Sequence, residues 1–176
     1  MKKFATVSFL VLASLFILLP GHFELARSQR ETFEMTVKGV AVDPNSNAPM
    51  VLLQDMDGKK VVPIAIGPSE AQAISMEIAK VQTPRPLTYE LITRILVKLE
   101  AKVMKIVIND VKDNIVYAQL HLKVDKGELS IDSRPSDAIN IALRNKATIY
   151  VTKKVRDIMG IDALPKEKGK EGGITL

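Results

Sequence analysis

The chain of 176 residues contains no cysteine, no tryptophan and only two histidines. Disulfide bonds and thiolate metal sites are therefore excluded, and the absence of disulfides neither favours nor opposes export. His22 lies in an apolar N-terminal stretch and His121 stands alone in a strand-like segment, so histidine-based proton transfer has one weak candidate. No HExxH, GxxxxGK[ST] or GxSxG motif is present. Carboxylates are the more promising catalytic groups.

The composition also gives little support for nucleic acid as a binding partner. Aromatic residues make up 5% of the chain, and the formal net charge is +5, of which residues 1–28 contribute +2. Aromatic side chains interleaved with arginine or lysine, as on many RNA-binding surfaces, are missing. The basic pI is therefore a weak indication of a polyanionic partner.

Residues 1–28 have the three parts of a secretory signal. Two lysines precede a 16-residue apolar run from Phe4 to Leu19, and Ala26-Arg27-Ser28 offers a cleavage site. A full membrane span needs about 20 apolar residues. We expect a signal peptide or an N-terminal membrane anchor, so that the protein is periplasmic, extracellular or held in the inner membrane by this segment alone. Residues 29–160 then form one domain, and residues 161–176 form a polar, flexible tail.

A sequence element occurs twice, 67 residues apart. Residues 61–80 align with residues 128–147, so that Pro68-Ser69-Glu70 falls on Pro135-Ser136-Asp137. In each copy a strand, an Asp/Gly turn and a second strand precede a helix that begins near the proline. The pattern predicts a duplicated β-hairpin–helix unit.

Strand patterns outnumber helix patterns along the chain. We predict strands at 32–42, 50–54, 60–66, 102–111, 115–124 and 148–151, helices at 69–80 and 88–100 with Thr88 as N-cap, and a last helical turn at 153–159. The predicted fold is α+β: the duplicated unit surrounds a large mixed, mostly antiparallel sheet, with helices packed on it.

The Pro-Ser-acid element has two interpretations. Proline, serine and a carboxylate all suit the first turn of a helix, where free amides and the helix dipole favour them. Glu70 and Asp137 are then structural caps. Alternatively, the two helix starts converge and form a paired acidic site.

Four carboxylates are the candidate catalytic residues: Glu70, Asp110, Asp132 and Asp137. Glu70, Asp132 and Asp137 are also the candidate ligands of Mg²⁺ or another divalent cation, which prefers oxygen ligands. Alternatively, Asp132 and Arg134 form an ion pair that orients the strand–helix turn. Arg85 lies between two prolines, which suits phosphate recognition, unless it pairs with Glu90 or another nearby acid.

Four segments together resemble the bifunctional nuclease domain family. They are IGPSEAQAI (66–74), PRPLTYEL (84–91), KIVINDVKDNIVYAQL (105–120) and IDSRPSDAINIAL (131–143), and the resemblance extends over about Met35 to Val155. It implies a duplicated β/α unit around a large mixed sheet, a frequent homodimer, and cleavage of RNA and DNA. The carried-over site residues are Glu70, Arg85, Asp110, Asp132, Arg134 and Asp137.

One departure from the family pattern concerns Tyr89, where family members commonly have histidine. Tyrosine titrates near 10 and is a poor base at neutral pH. If the position performs proton transfer in relatives, this chain is weakened or altered as a nuclease. If the ring only positions the helix or stacks on a base, the change matters less. Tyr89 and Ser136 complete the candidate substrate-binding residues, with Arg85 and Arg134.

Two functional hypotheses follow. The first is nuclease-like hydrolysis of phosphodiester bonds in RNA or single-stranded DNA, with assistance from a divalent cation. The second is a non-catalytic, exported, dimeric binding or scaffold protein of the cell envelope.

Overall fold

The computed structural model describes residues 31–163, which form eight strands and four helices. The strands are β1 (Thr32–Val42), β2 (Pro49–Asp55), β3 (Lys60–Ala65), β4 (Lys102–Lys112), β5 (Ile115–Val124), β6 (Gly127–Ser133), β7 (Thr148–Thr152) and β8 (Ile161–Asp162). The helices are α1 (Pro68–Ile78), α2 (Thr88–Lys98), α3 (Pro135–Asn145) and α4 (Lys153–Met159). The predicted signal or anchor at 1–28 and all but the first three residues of the predicted tail lie outside the described residues.

All eight strands join one sheet in the order β6-β5-β4-β7-β1-β2-β3-β8. Within residues 31–163, β4 and β7 are the one parallel pair, and every other neighbouring pair is antiparallel. The prediction of an α+β fold with a large, mixed, mostly antiparallel sheet is confirmed. β8 pairs with β3, so the sheet continues two residues past the predicted domain end at 160.

Alternation along the strands places one face of the sheet in the core. Met35, Ile106, Ile108 and Val151 are buried there, together with Ile139 of α3. α1 packs on β1 and β2, α3 packs on β4, β5 and β7, and α2 packs on α3. None of the helices in the part of the chain described here has the length and apolarity to cross a bilayer.

Both repeated segments fold as an antiparallel strand pair followed by an 11-residue helix that begins at its proline. This local order is the one predicted, while the duplication itself stays a prediction. The start of α2 differs from expectation: Thr88 is its first residue and Leu87 its N-cap. The Glu90 carboxylate accepts a hydrogen bond from the Leu87 amide at 3.3 Å, which satisfies a donor that the helix itself leaves free.

Candidate functional site

The first turns of α1 and α3 lie side by side, and the two helices run in the same direction. Asn140 of α3 donates to the Glu70 carbonyl at 3.4 Å, and Arg144, one turn further, donates to the Ala73 carbonyl at 3.2 Å. Each helix begins with proline and carries an acid in its first turn, Glu70 in α1 and Asp137 in α3. The two carboxylates are therefore brought together at the positive ends of two helices.

Arg134, the N-cap residue of α3, joins the two carboxylates. Its Nε donates to Asp137 Oδ2 at 2.6 Å, and its Nη2 donates to Asp137 Oδ1 at 2.9 Å and to Glu70 Oε1 at 3.0 Å. The Arg134 side chain is 66% exposed, whereas those of Glu70 and Asp137 are 17% and 27% exposed. Arg134 therefore pairs with the two helix acids, and no ion pair with Asp132 is found in residues 31–163.

Tyr89 of α2 completes the cluster by donating its hydroxyl hydrogen to Asp137 Oδ1 at 2.6 Å. Burial, that hydrogen bond and the charges of Asp137 and Glu70 raise the pKa of Tyr89 well above its ordinary value. Burial acts to raise the pKa of Asp137, but hydrogen bonds from Arg134 and Tyr89 outweigh it and hold this pKa below its ordinary value. At neutral pH Asp137 is therefore ionised, and Tyr89 is a hydrogen-bond donor rather than a base.

A second, buried layer supports the cluster. Asn140 is fully buried and donates to the Ser136 carbonyl at 3.0 Å as well as to Glu70. The Arg144 side chain is only 6% exposed. It donates to the Asn140 side chain at 3.0 Å, and its guanidinium lies 5.4 Å from the centre of the Tyr89 ring. Arg144 thus contacts all three helices of the site.

The cluster forms one end of an open cleft of about 780 Å³ between α1, α2 and the start of α3. The lining residues are Ser69, Glu70, Gln72, Ala73, Met76, Thr83, Leu87, Thr88, Tyr89, Ile92, Arg134 and Asp137. The convergence of the two helix starts, which the sequence left open, is thus found in the structure. Glu70 and Asp137 share one cleft.

The remaining candidate residues do not line this cleft. Asp110 is bound by Lys112 at 3.0 Å and by Lys154, and Asp132 is exposed on β6. Ser136 is buried in the first turn of α3. Arg85 is exposed in the loop before α2, where its carbonyl accepts a hydrogen bond from the cleft residue Thr83 at 2.6 Å. Its predicted partner Glu90 instead caps α2.

The carboxylates do not form a preformed site for a divalent cation. Among residues 31–163 there is no group of three or more His, Asp or Glu side chains placed to hold a metal ion. The Arg134 guanidinium already bridges Glu70 and Asp137 and occupies the position between the two carboxylates. This donor set fits an arginine better than it fits Mg²⁺.

Three residues of the site were not singled out from the sequence: Gly67, Asn140 and Arg144. Asn140 and Arg144 carry a detectable signal, because they are polar residues among the buried apolar positions Ala138, Ile141 and Ala142 of α3. Gly67 is the N-cap of α1 and aligns with Arg134 in the repeat. A hydrogen at this position leaves room for the neighbouring Glu70 carboxylate.

Comparison with known proteins gives a consistent set of relatives. A family model described as "Bifunctional nuclease domain" matches residues 51–163. An uncharacterized protein of Mycobacterium tuberculosis is 36% identical over 138 residues, which are 78% of this chain and 82% of that protein. "Bifunctional nuclease 1" of Arabidopsis thaliana is 32% identical over 109 residues, covering 60% of this chain and 34% of the plant protein. "Bifunctional nuclease 1" of Oryza sativa subsp. japonica is 28% identical over the same length, 33% of its own.

Proposed function

Because the chain belongs to the bifunctional nuclease domain family, we propose that it hydrolyses phosphodiester bonds in RNA or single-stranded DNA at the cleft between α1, α2 and α3. The observation that carries the proposal is the joining of Glu70 and Asp137 by one exposed arginine inside an open cleft. The names of the plant relatives supply the reaction class.

Arg134 is the proposed phosphate ligand. Its Nε and Nη2 are engaged by the two acids, whereas no hydrogen bond of Nη1 is found within residues 31–163. A guanidinium presents its donors in a planar fork that matches phosphate oxygens. Nη1 therefore supplies a free donor for the substrate, while the two hydrogen bonds to Asp137 keep the group oriented.

Glu70 is the proposed general base. One hydrogen bond from Arg134 holds its carboxylate, whereas two from Arg134 and one from Tyr89 hold Asp137. A phosphate bound to Arg134 competes with Glu70 for Nη2, so it releases Glu70 and leaves Asp137 in place. Asp137 and Tyr89 then keep the arginine and the helix starts in position.

The proposed reaction is a displacement at phosphorus by water. The water oxygen attacks phosphorus and its proton passes to Glu70. The bond between phosphorus and the leaving-group oxygen breaks, and that oxygen takes a proton from the solvent. Arg134 stabilises the negative charge that builds up on the phosphate oxygens. No step is assigned to a divalent cation, and assays with added cations measure whether one contributes.

The test uses the purified full chain with labelled RNA and labelled single-stranded DNA, in Mg²⁺, in Mn²⁺ and in EDTA. Glu70→Gln is expected to lower the cleavage rate about 10²- to 10⁴-fold, the usual contribution of a general base. Asp137→Asn is also expected to lower it, because it weakens the hold on Arg134. Asp113→Asn, in the exposed β4–β5 turn, is the control.

Absence of cleavage under every condition, or cleavage that survives both Glu70→Gln and Asp137→Asn, contradicts the catalytic proposal. Near-normal cleavage with a large fall in melting temperature assigns the two acids to helix capping instead. Asp132→Asn is expected to leave cleavage unchanged, because Asp132 lies outside the cleft. Loss of cleavage in this variant supports the sequence-based prediction that Asp132 is catalytic.

A second candidate function is a non-catalytic, dimeric binding or scaffold protein of the cell envelope. Two observations favour it: Arg134 already forms ion pairs with both acids, and the region of α2 exposes an apolar stripe of Leu87, Leu91, Ile95 and Leu99. Exposed apolar patches commonly mark interaction surfaces. In the proposed homodimer, this stripe packs against the same stripe of a second copy about a two-fold axis. Its residues recur every four positions and therefore lie along one side of the helix.

Export is part of both proposals and rests on residues 1–28. Fusing these residues to a reporter enzyme that is active only outside the cytoplasm tests it. An inactive reporter, alongside an active control carrying a known signal peptide, argues against export.

A further inference from the structure

The cleft has two chemically different halves. Glu70, Arg134 and Asp137 form its charged end, and the side chains of Ala73, Met76 and Ile92 form an apolar wall between α1 and α2. Met76 and Ile92 are half-buried, so part of each side chain faces solvent or the cleft. The apolar half is not needed to bind a phosphate, and a volume of about 780 Å³ suits a ligand much larger than one.

The part of α2 that carries the cleft residues Tyr89 and Ile92 is held in place by contacts with α3. The Tyr89 hydroxyl is fixed by Asp137 at 2.6 Å, and the Arg144 guanidinium lies 5.4 Å from the ring centre. Asn145 of α3 donates to the Thr93 hydroxyl of α2 at 3.1 Å. This bond holds α2, the helix that carries Ile92, against α3. A preordered apolar wall lowers the entropic cost of binding a flat ligand.

An anion site beside an apolar wall fits a ligand that joins a phosphate to a flat, weakly polar ring. We propose that the apolar half of the cleft binds one unstacked nucleobase while the attached phosphate binds Nη1 of Arg134; the inference rests on the proposed nuclease function for the identity of the polymer. Gln72, Thr83 and Thr88 border the same cleft and provide hydrogen-bonding groups for the base edge. A base paired in a duplex cannot enter, so the cleft selects an unpaired nucleotide.

The test measures binding rather than cleavage. The full chain is labelled with ¹³C at the methionine methyl groups, and the Met76 resonance is assigned with Met76→Leu. AMP and UMP are compared with ribose 5-phosphate and with inorganic phosphate. Both nucleotides are expected to shift the Met76 methyl resonance and to bind about tenfold more tightly than ribose 5-phosphate, because the base removes apolar surface of the wall from water.

Ile92→Ala has Val97→Ala as its control on the same helix. Ile92 lines the cleft, whereas Val97, five residues further along α2, is 64% exposed and does not line the cleft. Ile92→Ala is expected to weaken AMP binding at least threefold with little change for inorganic phosphate, and Val97→Ala is expected to leave the binding of both ligands unchanged. Circular dichroism checks that both variants are folded, and Met76→Ala repeats the test on α1.

Equal affinity for AMP and ribose 5-phosphate, or an unmoved Met76 resonance on saturation, overturns the inference. Failure of the base-site inference can be distinguished from failure of the proposed nuclease function. Nucleotide binding at Met76 without cleavage removes the nuclease and keeps the base site. Cleavage of an oligonucleotide at the same rate when the base beside the scissile bond is replaced by an abasic site keeps the nuclease and removes the base site.

Discussion

Gly67 and Arg134 are the N-cap residues of α1 and α3, and they contribute to the site in opposite ways. Gly67 has an ordinary extended backbone with φ −72° and ψ 157°, so glycine is not required for its conformation. A Cβ atom at this position would lie 2.2 Å from Glu70 Oε2. The Glu70 carboxylate therefore occupies the space that a side chain at position 67 would fill. Arg134 donates a hydrogen bond to that carboxylate from α3.

Gly67→Ala is predicted to displace the Glu70 carboxylate without unfolding the protein. Alanine suits this backbone, so the free energy of unfolding should change by less than about 1 kcal/mol. Cleavage should fall about 10- to 100-fold, the cost of misplacing a catalytic group by roughly 1 Å. The measurement is a double-mutant cycle: in the Glu70→Gln background, Gly67→Ala should have almost no further effect. Additive losses in the two backgrounds disprove this role.

Asp110 is predicted to stabilise the fold in a pH-dependent way. Hydrogen bonds from Lys154 and Lys112 lower the pKa of Asp110 from 3.8 to about 2. The folded-state pKa is depressed, so this stabilisation is fully present above about pH 4 and is lost as the pH falls towards 2. Urea unfolding should show that the stability difference between wild type and Asp110→Asn shrinks over this interval. A difference that stays constant down to pH 2 contradicts the assignment.

At the scale of elements, the site depends on how α1, α2 and α3 are held together. Arg144 donates to the Ala73 carbonyl of α1 at 3.2 Å and to the Asn140 carbonyl of α3 at 3.1 Å, and it lies over the Tyr89 ring of α2. Its Nε is buried without a hydrogen-bond partner, 3.8 Å from Glu77 Oε2. One buried guanidinium thus sets the spacing of three helices that carry Glu70, Tyr89 and Asp137.

Arg144→Met is predicted to lower the free energy of unfolding by about 2–4 kcal/mol, because it removes the donor of the buried Asn140 Oδ1 and the contacts of the guanidinium with α1 and α2. The exposed Arg94 of α2 offers the matched control, and Arg94→Met should cost no more than about 0.5 kcal/mol. Urea unfolding followed by circular dichroism measures both. Equal effects of the two substitutions show that Arg144 does not brace the helices.

At the scale of the whole molecule, the proposed homodimer would cover the apolar stripe of α2. Leu91, Ile95 and Leu99 are 51%, 48% and 69% exposed, whereas Ile92 and Leu96 of the same helix pack against the core. α2 thus has one broad apolar face, of which one edge packs against the core and the other edge is exposed. Two-fold packing would remove the exposed apolar edge from water.

Ile95→Glu is predicted to shift the protein towards the monomer, because it places a charge in the centre of the proposed contact. The dimer dissociation constant should rise at least about tenfold, equivalent to about 1.4 kcal/mol. Sedimentation velocity over a range of concentrations measures the change. Lys123→Glu, on the exposed part of β5, is the control. A wild-type protein that is monomeric at high concentration, or a dimer insensitive to Ile95→Glu, refutes this contact.

Much of the fold was predictable because local sequence patterns indicate its strands, helices and turns. Alternation along residues 32–42 and 115–124 predicted β1 and β5 with their ends, and Asp57-Gly58 predicted the turn between β2 and β3, with Gly58 at φ +71°. The strand β8 was not predicted, because a segment of two residues is too short to show an alternation of apolar and polar side chains. Thr88 was misassigned as N-cap because its hydroxyl makes it a good cap by composition.

The sequence by itself determined the family, the α+β class and the acid in the first turn of each repeated helix, since these depend on residue order and short-range periodicity. Only the tertiary structure decided which acids meet. Asp132 precedes Arg134 by two residues, yet Arg134 pairs with Glu70, 64 positions away. Asp110 pairs with Lys154, 44 positions away. Such contacts depend on how α1 and α3 pack against each other and on which strands are neighbours, and the spacing of residues along the chain does not encode these distances.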